Sequence, residues 1–354
     1  MILTAKASAF FTQTLLNWHL QSNKRVLPWK SYSSPYIIWL SEIILQQTRI
    51  EQGIPYFERF LKAYPDINAL ANAIDEEVFR LWQGLGYYNR CRNLLNTARY
   101  ISNELKGQFP TSYTEVLQLK GVGDYTAAAI VSFAYGLPYA VVDGNVYRVL
   151  ARYWGIETPI DSSVGKKQFQ KLAQDLLDKE NAGSYNQAIM DFGATICKPA
   201  QPLCATCVFI KTCSAFKAKT VDLLPIKAKK LKRVSRFFHY VILISNNKVW
   251  IHQRQQEGIW QHLFEPYLIE TKTHEKADKM ISCVSSTLAV PVSYEGSSVQ
   301  KLSHQTIHAQ FYLVKSQDIK SVALEDGIWV SFDELKKYAF PKTIVSFFEK
   351  KNYF

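Results

Sequence analysis

LKGVGDYTAAAIVSFAYGLPYAVVDGNVYRVLARY, residues 119–153, is the stretch from which the fold can be read. Gly121 and Gly123 flank Val122 just ahead of a run of small residues with helical spacing. Glycines there let backbone N–H groups approach a phosphate closely, at the positive end of the following helix. About twenty residues further on, Asp143 precedes Gly144 at the start of a second helical pattern. By default an Asp so placed is a helix N-cap, and a glycine turn between helices is common.

Outward from this stretch the chain divides by periodicity. Residues 1 to about 215 read as helical, with apolar side chains at i, i+3, i+4 in Ile37–Gln47, Gly53–Ala63, Glu76–Leu85, Arg90–Leu105 and Gly165–Leu177. From Ala215 to Arg236, Lys217, Lys219, Lys227, Lys229, Lys230, Lys232, Arg233 and Arg236 face only Asp222, which marks 216–236 as a basic interdomain connector. A solvated linker and a phosphate-contacting surface both fit it. Beyond it, Phe237–Ser245 and Lys248–Arg254 flank the turn Asn246-Asn247, and Tyr267–Glu270 and Ile307–Lys315 are further strands. Glu275–Leu288 and Asp333–Tyr338 read as helices, so 237–354 is expected to be an α+β domain.

Cys197, Cys204, Cys207 and Cys213 form C-x6-C-x2-C-x5-C. Thiolates suit zinc or an iron–sulfur cluster. Only one C-x2-C pair is present and the outer spacings are long, which favours a cluster over a single ion. Two disulfides are the alternative, disfavoured in a chain whose start reads as an amphipathic helix rather than a signal peptide. Cys91 and Cys283 read as buried thiols. The net charge of +12 favours a polyanion, most commonly nucleic acid. No apolar run is long enough to span a membrane, so the expected location is the bacterial cytoplasm, with the nucleoid.

The cysteine spacing resembles the [4Fe–4S] loop of the endonuclease-three and MutY branch of helix-hairpin-helix DNA glycosylases. Leu27–Trp29 (LPW), Ser41–Thr48 (SEIILQQT), Gly84–Leu94 (GLGYYNRCRNL), GVGDYTAAA and Asn186–Cys197 (NQAIMDFGATIC) resemble the MutY adenine glycosylases, in the same order. The resemblance implies a helix-hairpin-helix catalytic region over 1–215. It places a six-helix-barrel lobe at about 25–135, and a lobe around one [4Fe–4S] cluster built from the N-terminal helix and 136–215. It implies release of adenine opposite 8-oxoguanine or guanine in duplex DNA, by a monomer. Glu42 would be the general acid, Asp143 would face the sugar, and Asn145 and Tyr125 would orient Asp143. Arg25, Trp29, Lys30, Leu45 and Gln187 would line the adenine pocket, with Lys30 departing from the arginine common after L-P-W. Gln47, Thr48, Tyr87, Gly121, Gly123 and Lys198 would contact DNA, Gln47 and Tyr87 as wedges.

Bifunctional relatives carry a lysine two residues after the second glycine of the hairpin. Tyr125 stands at that position, so no imine can form there and a monofunctional enzyme is expected. The C-terminal region resembles the Nudix-like module of MutY through Glu257–Tyr267 and Leu302–His304. It lacks the R-E-x-x-E-E run that would hold magnesium, which implies recognition without hydrolysis. Ser303 aligns with the residue that reads 8-oxoguanine, and it and the flanking His304 would contact DNA. The alternatives are an endonuclease-three-type lyase, which Tyr125 argues against, and a non-catalytic DNA-binding protein, which Glu42 and Asp143 argue against.

Overall fold

The computed structural model describes residues 4–228, 233–288, 290–315 and 326–353, so Lys229, Lys230 and Lys232 of the basic stretch lie outside the described residues. The chain forms two compact units, Met1–Ala71 with Asn93–Lys230, and Asn72–Arg92 with Leu231–Phe354.

Helices α1 (Ala5–Ser22), α2 (Pro35–Leu45), α3 (Ile50–Ala63), α4 (Ile67–Ala71), α5 (Asp75–Trp82) and α6 (Asn89–Asn103) come first. Next are α7 (Tyr113–Leu117), α8 (Asp124–Tyr135), α9 (Gly144–Trp154), α10 (Ser163–Leu176), α11 (Ala182–Thr195) and α12 (Ser214–Lys217). In the first unit, α2 opens on Pro35, whose fixed φ suits a helix start, and buries Tyr36, Ile38, Trp39, Leu40, Ile43 and Ile44. It packs on α8, whose buried Ala127, Ala128 and Ala129 allow a close approach. α8 stops at Gly136, which takes the left-handed φ of +67° that ends a helix. α11 packs against α1, α8 and α9. Phe11, Leu15 and Trp18 of α1 share one core with Val149, Leu150, Phe169, Ile189, Phe192 and Phe209. Phe11 stacks on Phe209 at 4.9 Å, which attaches the cysteine-bearing loop to the N-terminal helix.

The second unit is built on one mixed sheet of strands β1 (Val234–Ser245), β2 (Lys248–Gln253), β3 (Phe264–Glu265), β4 (Tyr267–Thr271), β5 (Ser293–Lys301), β6 (Gln305–Lys315) and β7 (Gly327–Ser331). Its path is β3-β2-β1-β6-β5, with β4 on β1 and β7 on β2. Among the described residues only β1 and β6 pair in parallel, from Val234↔Gln305 to Ile244↔Lys315. On one face Val241, Leu243 and Tyr312 pack with Met280 and Val284 of α13 (Ala277–Leu288). On the other Phe311 stacks on Phe347 of α14 (Lys342–Lys350) at 4.1 Å. The expected helix over Asp333–Tyr338 is a single 3-10 turn, Asp333–Lys337. β5, β7 and α14 were not anticipated, since β5 is half exposed and lacks an apolar run. Cys283, expected buried, is exposed.

Residues 72–92 read as part of the helical region, yet they group with the sheet. Arg92 Nη1 donates to Gln261 Oε1 at 2.5 Å, and Phe79 lies against His262. Such contacts join distant segments and leave no local pattern.

A Cβ at Gly327 would lie 2.1 Å from Cε2 of the buried Trp250 ring. Gly327→Ala is therefore expected to destabilise the sheet unit by about 1–3 kcal/mol. Urea unfolding followed by tryptophan fluorescence would measure it, and an unchanged midpoint would contradict this packing.

Candidate active site

A cleft of about 1000 Å³ in the helical unit is lined by Glu42, Asp143, Asn145, Tyr125, Arg25, Trp29, Lys30, Leu45, Gln187, Gln47 and Thr48. Residues spread over 163 positions of sequence converge there because the helices α2, α8, α9 and α11 pack on one another. Gly193 of α11 makes the α9–α11 approach possible, since a Cβ there would fall 2.7 Å from the Cβ of Asn145.

Glu42 is buried on α2. Loss of hydration pushes its carboxyl up to about 7; a hydrogen bond from Tyr125 pulls it down and the charge of Asp143 raises it again. Asp143 is indeed the N-cap of α9: Oδ1 accepts from Val146 N at 2.8 Å, and Oδ2 accepts from Asn145 Nδ2 at 2.7 Å. Burial raises the Asp143 carboxyl, and these two donors oppose the rise. The helix cap and the cleft-lining carboxyl are one residue, so capping leaves Asp143 in the cleft. The two carboxyls thus differ in environment, one short of donors and one supplied with them, which is how a site separates an acid from a carboxylate.

Arg148 and Arg152 join the cleft to the cysteine loop. Arg148 Nη2 donates to Asn145 Oδ1 at 2.8 Å and to Gly193 O at 2.7 Å, while its Nε donates to Cys197 O at 2.7 Å. Arg152 Nη1 donates to Lys198 O at 2.7 Å and to Cys197 Sγ at 3.5 Å. Neither arginine was singled out in the sequence, where both sit in an ordinary helical run. Cys197, Cys204, Cys207 and Cys213 line one small cavity with Ile196, Leu203 and Ile210. None is in a disulfide. Among the described residues no three His, Cys, Asp or Glu side chains close around a point tightly enough to hold a metal ion.

Of the residues expected to contact DNA, Gln47 and Thr48 line the cleft and the others lie outside it. Gly121 turns the hairpin at φ +81°, with a Cβ excluded by Asn93 at 2.9 Å; Gly123 has open space around it. Gln47 and Tyr87 both hold left-handed backbone, φ +54° and +48°, which is uncommon for non-glycine residues. Lys198 is in the cysteine loop, half-buried. In the second unit Ser303 and His304 form the β5–β6 turn, and the Ser303 hydroxyl is hydrogen-bonded to that of Tyr87.

The chain matches the HhH-GPD superfamily base excision DNA repair proteins over residues 40–175 and a NUDIX domain over 239–350. An adenine DNA glycosylase of Buchnera aphidicola subsp. Schizaphis graminum is 32% identical over 345 residues, 96% of this chain and 98% of the relative. The chain belongs to the adenine DNA glycosylase family. The Homo sapiens family member is 43% identical over 215 residues, which cover 58% of this chain and 39% of that protein. The helical part also resembles a thermostable thymine-DNA glycosylase, with 30% identity, a TM-score of 0.56 and coverage of 60% of this chain and 98% of the other. An endonuclease III solved in a non-covalent DNA complex shares the fold at 22% identity and TM-score 0.53, over 62% and 99% of the two chains. Among the described residues no helix is long and apolar enough to cross a membrane.

Within this family member the Glu42 carboxyl should titrate near 7, and its neighbours should move it in opposite directions. Tyr125→Phe removes a donor to the carboxylate and should raise the value further. Asp143→Asn removes a like charge and should lower it. Carbon-13 NMR titration of labelled glutamate checks both signs; a shift the same way in both variants would contradict the arrangement.

Proposed function

We propose that the chain is a monofunctional adenine DNA glycosylase that removes adenine mispaired with 8-oxoguanine or guanine in duplex DNA. The observation that carries this is the cleft in which a carboxyl buried to about 7, Glu42, shares space with the donor-supported Asp143. Adenine leaves poorly unless N7 is protonated, and Glu42 supplies that proton. The C1′–N9 electron pair departs with the base. Asp143 meets the positive charge left on the sugar, as an ion pair or by bonding C1′ transiently. Water adds at C1′, and the Glu42 carboxylate takes its proton. A base can reach such a cleft only by leaving the helix stack. Gln47 and Tyr87, each on left-handed backbone at an exposed turn, are suited to fill the gap.

The monofunctional reading rests on the amines. Among the residues lining the cleft the one lysine is Lys30, whose Nζ is hydrogen-bonded to Asp191 Oδ2 at 2.5 Å and to Arg25 O at 3.1 Å. An ammonium ion held that way is no nucleophile. Tyr125 occupies the position at which lyase relatives carry their lysine.

The second unit is the reader of the opposite base. The lesion differs from guanine by an oxygen at C8 and a hydrogen on N7, where guanine offers an acceptor. The Ser303 hydroxyl can accept from that hydrogen while bonded to Tyr87. The four cysteines fit one [4Fe–4S] cluster, being unpaired by disulfides and gathered on one apolar cavity. Such a cluster would shape the loop that carries Lys198, while Arg148 and Arg152 hold that loop to the catalytic helix.

Single-turnover base release from a duplex containing adenine opposite 8-oxoguanine tests this reading. Adenine should appear without strand cleavage, and borohydride should trap no covalent adduct. The rate should fall as pH rises through about 7, since Glu42 must be protonated. Asp143→Asn and Glu42→Gln should each lower it by at least about two to three orders of magnitude with duplex binding retained. Near wild-type rates in either would remove the roles assigned here. The purified protein should contain iron and sulfide, and finding zinc alone would exclude the cluster. Ser303→Ala should cost about 0.5–1.5 kcal/mol of preference for 8-oxoguanine over guanine opposite adenine, measured at fixed salt.

A further inference from the structure

Asp191 is fully buried behind the wall of the cleft, and side chains that line the cleft turn back toward it. Arg25 Nη1 lies 2.9 Å from Oδ1, Lys30 Nζ 2.5 Å from Oδ2, and Asn23 Nδ2 2.7 Å from Oδ2. Gln187 Nε2 donates to Oδ1 at 3.1 Å. His19 stands 4.0 Å away, and burial holds its imidazole below the usual range, toward the neutral form.

A carboxylate set against two cations offers only acceptors. Gln187 must therefore present its NH₂ to Asp191. The amide is planar and its nitrogen is taken by Asp191, so the carbonyl oxygen is the polar atom of Gln187 left to the cleft that this residue lines. Gln187 and Asp191 are one turn apart on α11, which leaves the amide little freedom. Asp191 also balances Arg25 and Lys30, which would otherwise oppose a protonated base in the cleft.

We propose that Asp191 is a positioning residue that sets the base preference of the cleft, by holding the Gln187 carbonyl toward the base so that a purine with a 6-amino group is selected over one with a 6-oxo group. The inference rests on the adenine-release reading above. Adenine presents a donor at C6 where hypoxanthine and guanine present an acceptor. With the amide held, a 6-oxo base sets two acceptors face to face, and each loses a hydrogen bond it had in water. Replacing Asp191 by an amide, which can donate or accept, frees Gln187 to rotate.

The test uses the full-length protein and three substrates differing at one nucleotide: adenine, hypoxanthine, and unsubstituted purine, each opposite 8-oxoguanine. Single-turnover release is measured for each. In Asp191→Asn the adenine-to-hypoxanthine rate ratio should fall about tenfold from wild type, the effect of one hydrogen bond. Purine, which carries neither group, reports any general loss. Gln187→Met, which keeps Asp191 and deletes the amide, should lower the same ratio and serves if Asp191→Asn does not fold. Three rates falling together in Asp191→Asn, or an unchanged ratio in Gln187→Met, would overturn the proposal and leave a structural role. Wild-type protein releasing no adenine would instead overturn the reading on which the proposal stands.

Discussion

Helix α2 buries Ile38, Trp39, Leu40, Ile43 and Ile44 and, among them, the carboxyl of Glu42. Water would keep that group ionised at neutral pH; an apolar helix packed on α8 does not. The cost of burying the charge is what lifts it to about 7, and the same burial drives the packing of the unit. The raised carboxyl therefore cannot be separated from the fold. Asp143, in the same cleft, is kept distinct by its position at a helix start, where the backbone N–H of Val146 and the Asn145 amide face it. Glu42 has the Tyr125 hydroxyl as its donor, whereas Asp143 has a backbone N–H and a side-chain amide.

The interior around this pair holds further charged side chains, Arg148, Arg152 and Asp191, each with named partners. Arg148 and Arg152 are buried, yet each finds backbone carbonyl oxygens of the cysteine loop. Asp191 is wholly buried and accepts from Arg25 and Lys30. Buried charges so paired contribute little net stability but specify one arrangement, since any other would leave a charge without a partner. The loop that bears the cysteines and the helix that bears Asp143 are thereby held in one geometry.

The sheet unit follows a different logic. Its two faces are covered by α13 and α14. Ser303 on the β5–β6 turn meets Tyr87, 216 positions earlier in the chain, because α5 and the turn after it group with the sheet. A hydroxyl pair of this kind can both accept and donate.

The sequence by itself determined the helical periodicity, the hairpin glycines, the cysteine spacing and the identity of Glu42 and Asp143, because these depend on local chemistry or on ordered motifs. Gly121 had to be glycine for its positive φ, and Asp143 had to cap a helix, whatever lay beyond. The family resemblance went further, bringing Arg25, Lys30 and Gln187 to one pocket. Only the tertiary structure decided what holds them there. Asp191 was in plain view within NQAIMDFGATIC, four residues after Gln187, yet nothing in that run said that Asn23, Arg25 and Lys30 would turn toward it. The same is true of Arg148, of the pairing of β1 with β6, and of residues 72–92 joining the sheet. Each is a contact between segments far apart in the chain, fixed by which surfaces can be buried together, and a linear pattern records no such distance.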